Sequence, residues 1–111
     1  MDPAERPKIR TYVVLLFIAV NPEYYELSKE ERSKLNDPHV KELSKHLKNV
    51  SLISLKGTGL SRDILVEVLE SRDLIEIEKM IETYKVGAKS KYGTIENVMI
   101  TEKCMVREMT G

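Results

Sequence analysis

Residues 11–20 read TYVVLLFIAV, an unbroken β-branched, aromatic and apolar run that stops at Asn21-Pro22. Its length and composition fit a strand better than a helix, and the proline that follows cannot continue a ladder. Side chains alternate across a strand, so Tyr12, Val14, Leu16 and Ile18 point to one side and Val13, Leu15, Phe17 and Ala19 to the other. Both sets are apolar, so neither face of this strand is expected to meet water. That double demand governs the rest of the reading.

Working outward, Ser28 and Glu31 form a capping box in Leu27-Ser28-Lys29-Glu30-Glu31-Arg32, which starts a helix. Asp37-Pro38 reads as a second start, so the segment is expected to divide into a short piece and a main helix from Pro38 to about Lys48. Its buried stripe would be Val40, Leu43 and Leu47. Residues 50–55 then alternate as a second strand. Gly57-Thr58-Gly59 supplies turn chemistry, and residues 63–69 make a third strand, completing a hairpin. Ser71 or Asp73 can cap a second helix carrying Leu74, Ile77, Met80, Ile81 and Tyr84 at helical spacing, with Gly87 as its stop. Residues 94–106 return to strand character through Ile95, Val98, Ile100 and Met105. The order is βαββαβ. It predicts an α+β domain of ferredoxin-like topology with a four-stranded antiparallel sheet over residues 11–108, between an N-terminal arm (1–10) and a short tail (109–111).

In such a fold both helices lie on one side of the sheet, yet the first strand is apolar on both. A second copy of the same sheet is the simplest lid, which predicts a homodimer with a barrel-like core, able to assemble further. The other reading covers that face with the arm and loops of the same chain.

Composition narrows the partners. Lysine plus arginine and aspartate plus glutamate number 18 each in 111 residues, so the basic footprint of a nucleic-acid binder is missing. The strand at 63–70 has no aromatic residue for base stacking. The run at 12–20 is too short to span a bilayer as a helix. Cys104 is the single cysteine, so no intramolecular disulfide can form, and no Cys/His spacing suits zinc; no cofactor is named from the residues, the presence of haem stays open, and a cytoplasmic setting is the simplest. Glutamine and tryptophan are absent while lysine, glutamate and isoleucine abound, a bias of hot-adapted proteins.

Few residues carry chemistry. His39 and His46 stand two helical turns apart and are expected on one flank of the first helix, where an imidazole facing a helix–sheet cleft could act as a general base. The bland reading is a pair of partly exposed side chains. Glu67 is a carboxylate amid Leu65, Val66, Val68 and Leu69. If a partner closes its face it is buried and must be paired or protonated. Otherwise it is an exposed ledge or an ion pair with a lysine such as Lys56. Tyr12, Tyr24 and Tyr25 could line a pocket for a flat ligand, or simply pack. His39 and Glu67 are thus the candidate catalytic groups, and His46, Tyr12 and Tyr25 the candidate ligand contacts.

The apolar first strand, Pro22-Glu23-Tyr24-Tyr25, Leu27 to Arg32, His39, Ser61-Arg62-Asp63-Ile64 and Asp73-Leu74 together resemble the darcynin-type and chlorite-dismutase-like branches of the dimeric α+β barrel superfamily, over residues 11–102. His39 and Leu43 also match the His-x-x-x-Leu of YCII-type members, whereas their Asp-Pro-Phe near the second helix is missing. The resemblance implies a dimeric α+β barrel. For function it implies either a module that binds a small apolar molecule or assembles without chemistry, a cofactor-free monooxygenase or isomerase of small aromatic compounds, or a haem-handling protein. In the haem-binding members the axial histidine belongs to a later domain, so neither His39 nor His46 matches it by position.

Overall fold

The computed structural model describes residues 10–57 and 64–103. Four strands, β1 (Tyr12–Val20), β2 (Ser51–Gly57), β3 (Ile64–Ser71) and β4 (Gly93–Glu102), and two helices, α1 (Lys29–Ser44) and α2 (Leu74–Lys85), follow in the order βαββαβ. The sheet order is β2-β3-β1-β4 with every pair antiparallel. This is the expected α+β, ferredoxin-like architecture, with the two most apolar strands at its centre. The expected arm at 1–9, the turn at 58–59, residues 61–63 and the strand end at 104–106 lie outside the described residues.

Local chemistry sets the element ends. The Glu31 amide donates to the Ser28 hydroxyl at 3.1 Å, and the Ser28 amide donates to the Glu31 carboxylate at 3.2 Å, closing the capping box. The Asp73 carboxylate accepts from the Glu76 amide at 3.1 Å and starts α2. Gly87 takes φ +91°, the left-handed conformation that lets the chain leave α2.

Between its caps α1 departs from expectation. It is one helix that runs through Pro38 rather than two pieces, and it ends at Ser44 rather than near Lys48. Pro38 removes a single hydrogen bond on the exposed flank of the helix, where water can take the freed carbonyl of Lys34, so the ladder resumes beyond it. Of the expected stripe only Leu43 is buried. Leu47 falls in turns beyond the helix end, where helical phase no longer applies, and Val40 sits over open space.

Register explains the core. Val14 lies opposite Leu69, Leu16 opposite Glu67 and Ile18 opposite Leu65 across β1 and β3, so all six face the helices. Val14, Leu16 and Leu69 pack with Ile77 and Met80 of α2 and with Leu43, and these five from β1, β3 and α2 have no exposed surface. Each contributes about 1.5–3 kcal/mol.

The second face is different. Val13, Leu15 and Phe17 of β1 are only half-buried there, beside Val66 and Val68 of β3. Leu55 pairs with Val66, Ile53 with Val68, and Met99 with Leu15, and Leu55, Ile53 and Met99 are about half exposed. No segment among the described residues covers it. No helix among them is long and apolar enough to cross a membrane.

Candidate functional site

At the end of the sheet where β1 finishes and β3 and β4 begin, the helices do not close on the strands. A cleft of about 420 Å³ opens there. Its floor is Ile18, Leu65 and Ile95, and Gly93 makes room beside them, since a Cβ at that position would stand 3.0 Å from the Ile18 Cγ2. One wall is α1 through Arg32, His39 and Leu43, which recur at helical spacing on one flank. α2 contributes Tyr84. Tyr24, Tyr25 and Tyr92 stand at the mouth, with Tyr24 edge-on to Tyr25 at 5.8 Å and to Tyr92 at 6.1 Å. The Asn36 amide donates to the Tyr24 hydroxyl at 2.9 Å and fixes that ring against α1.

Glu67 is the deepest polar group, 4% exposed. Its burial comes from its own chain: strand register turns it toward the helices, not toward the face a partner would close. Its carboxylate accepts from the Ser54 hydroxyl at 2.6 Å, and Ser54 is its register partner on β2. Lys56, offered from sequence as its ion-pair partner, instead lies over the Tyr25 ring at 5.9 Å from the centroid.

Tyr84 stands partly buried beside it. Burial first, then the negative charge of Glu67, hold its phenol above the usual range, so it stays protonated. Its hydroxyl has no hydrogen-bond partner of ordinary geometry among the described residues, and neither has Nε of Arg32, although both atoms are shielded from water. His39 packs edge-on against Tyr84 with ring centroids 4.9 Å apart. Burial, and then the charge of Lys89, push its pKa down to about 4, so the ring is neutral at physiological pH.

The cleft therefore joins His39, Glu67 and Tyr25 of the residues singled out from sequence. His46 and Tyr12 lie elsewhere. Because α1 ends at Ser44, the two-turn spacing that placed His46 beside His39 does not hold. His46 Nδ1 instead lies 2.6 Å from a Glu76 carboxylate oxygen at the start of α2. Tyr12 sits at the opposite end of β1, paired in register with Ser71. Arg32, Ser54, Tyr84 and Lys89 were missed. Arg32 stands seven residues before His39, a spacing that could have flagged it, whereas Ser54 is tied to Glu67 only by strand register. Among the described residues no three His, Cys, Asp or Glu side chains are gathered to hold a metal ion.

No family model matches the sequence, and no curated protein does. Solved structures do match. Over 94% of its length the chain superposes on chlorite dismutase from Candidatus Nitrospira defluvii with a TM-score of 0.82 at 18% identity, covering 45% of that chain. The chain shares the fold of part of chlorite dismutase. The imidazole complex of the same enzyme gives a TM-score of 0.82 at 17% identity over 94% of this chain and 44% of that one. A further chlorite-dismutase-type structure gives 0.70 at 19% identity, over 89% of this chain and 47% of that one. The chain thus spans a little under half the length of the chlorite dismutases it resembles.

Proposed function

We propose that the protein is a small-molecule-binding module built as a sheet-paired homodimer, with its ligand in the cleft between α1, α2 and the open end of the sheet. The carrying observation is the cleft itself. Its volume, about 420 Å³, falls in the range of ligand sites, and apolar walls surround a few inward-facing polar groups. The half-exposed Leu55, Ile53 and Met99 on the opposite face support the dimer, since a second sheet would remove them from water. Sedimentation should accordingly give twice the chain mass.

The direct test uses 2-naphthol as an apolar probe. Saturating probe should raise the melting temperature, because a ligand that binds only the folded state stabilises it. Val40→Trp, a change at an exposed position on the rim, should abolish the shift by plugging the cleft. An equal shift in both proteins would sink the reading.

A second reading, a cofactor-free monooxygenase or isomerase, is favoured by Glu67, Tyr84 and His39 sharing one cleft. A buried carboxylate beside a protonated phenol and a neutral imidazole can take a proton from one carbon of a substrate and return it at another. Turnover that survives Glu67→Gln would remove this role. The fold likeness also suggests haem handling, and His39 is the imidazole such a group would meet. The fit is poor: the cleft sets a carboxylate, a phenol and a guanidinium beside that ring, whereas a macrocycle fills a flat apolar slot. Haemin supplementation should therefore leave no haem absorbance in the purified protein.

A further inference from the structure

We propose that the cleft ligand carries a carboxylate or comparable oxyanion on a flat apolar body, and that Arg32 receives the anion; this rests on the small-molecule reading above. Three cations, Arg32, Lys56 and Lys89, line the cleft against one carboxylate, Glu67. That carboxylate is already engaged by Ser54. Lys56 lies over an aromatic ring, and Lys89 is close enough to act on His39, so the described lining of the cleft holds more positive than negative charge.

Arg32 is the focal group. Its Nε is shielded from water with no hydrogen-bond partner among the described residues, a costly arrangement for a charged donor unless something binds there. The neighbouring acid does not serve it, because Glu31 is turned back to the Ser28 amide in the capping box. The Arg32 amide donates to the Ser28 carbonyl at 2.9 Å, so the residue is anchored in the first turns of α1 rather than on a loose end. A guanidinium offers paired, coplanar donors that match the two oxygens of a carboxylate. Tyr24, Tyr25 and Tyr92 at the mouth, with Ile18, Leu65 and Ile95 beneath, suit a flat apolar body.

Calorimetric titration with 2-naphthoate and its neutral counterpart 2-naphthol separates the two claims. The wild-type protein should bind naphthoate roughly tenfold or more tightly than naphthol, the scale of one charge-assisted contact. The advantage should shrink at high salt. Arg32→Met should erase it, and an unchanged far-ultraviolet circular dichroism spectrum shows that the variant folds. Equal affinity for both probes in the wild type, or naphthoate binding unaltered in Arg32→Met, would overturn the anion claim and leave the cleft reading standing. Binding of neither probe would overturn both.

Discussion

The two ends of the helix–sheet interface are built on the same strands, β1 and β3, and come out differently. At one end Val14 and Leu69 meet Ile77 and Met80 with no exposed surface. The polar groups there are satisfied: the Ser71 hydroxyl donates to the Asn49 carbonyl at 2.6 Å and accepts from the Asp73 amide at 3.0 Å, while His46 meets Glu76. At the other end the strands offer Ile18, Leu65 and Glu67. The helices answer with Arg32, His39 and Tyr84, long polar side chains that surround a space instead of filling it. A core that obeys packing and polar satisfaction at one end and breaks both rules at the other marks the second as the candidate site.

That contrast can be broken by mutation. The largest effect is expected from Ile77→Ala in the closed end, about 2–5 kcal/mol less stable in urea unfolding because the removed atoms leave a sealed void. Leu65→Ala on the cleft floor should cost distinctly less, since that side chain borders space that is already open. Comparable losses would mean that the two ends are equally packed.

Polar groups sharpen the same point on a smaller scale. Ser71→Ala strands the Asn49 carbonyl and the Asp73 amide and should cost about 1–3 kcal/mol. Tyr84→Phe removes a hydroxyl that has no hydrogen-bond partner of ordinary geometry among the described residues and should be near neutral, or slightly stabilising, by the same measurement.

The smallest effect is electrostatic. His39 has a folded-state pKa of about 4 against 6.5 in the unfolded chain, so between these values the unfolded chain binds more protons. Stability from this group is therefore complete above about pH 6.5 and falls as the pH drops toward 4. The ring is only partly buried, which mutes the effect. His39→Phe should flatten that part of the stability profile, and proton NMR should show the His39 ring titrating near pH 4.

How far the sequence reached follows the same physical divide. Local signals were legible: the doubly apolar β1, the Ser28 and Glu31 box, Asp73 as a cap and Gly87 as a stop each rest on a few neighbouring residues. Glu67 stood out because a carboxylate interrupts an apolar strand. What stayed hidden depended on phase and register. Whether α1 continued through Pro38, and so where Leu47 and His46 would fall, was decided by a balance of one hydrogen bond lost on an exposed flank against the rest of the helix. The pairing of Ser54 with Glu67, and the choice of which sheet face Glu67 takes, exist only once β2 and β3 are aligned. Arg32 was absorbed into the stretch around the capping motif, and only its seven-residue spacing from His39 hinted that it shares the cleft flank.

The most direct test of the cleft is a methyl-resolved NMR titration with 2-naphthoate. The methyl signals of Ile18, Leu43, Leu65 and Ile95 should move with a common saturation curve, while those of Val14, Leu69 and Ile77 at the closed end stay in place. Shifts confined to the closed end, or spread evenly over both, would contradict the claim that one end of this interface is built to receive a ligand.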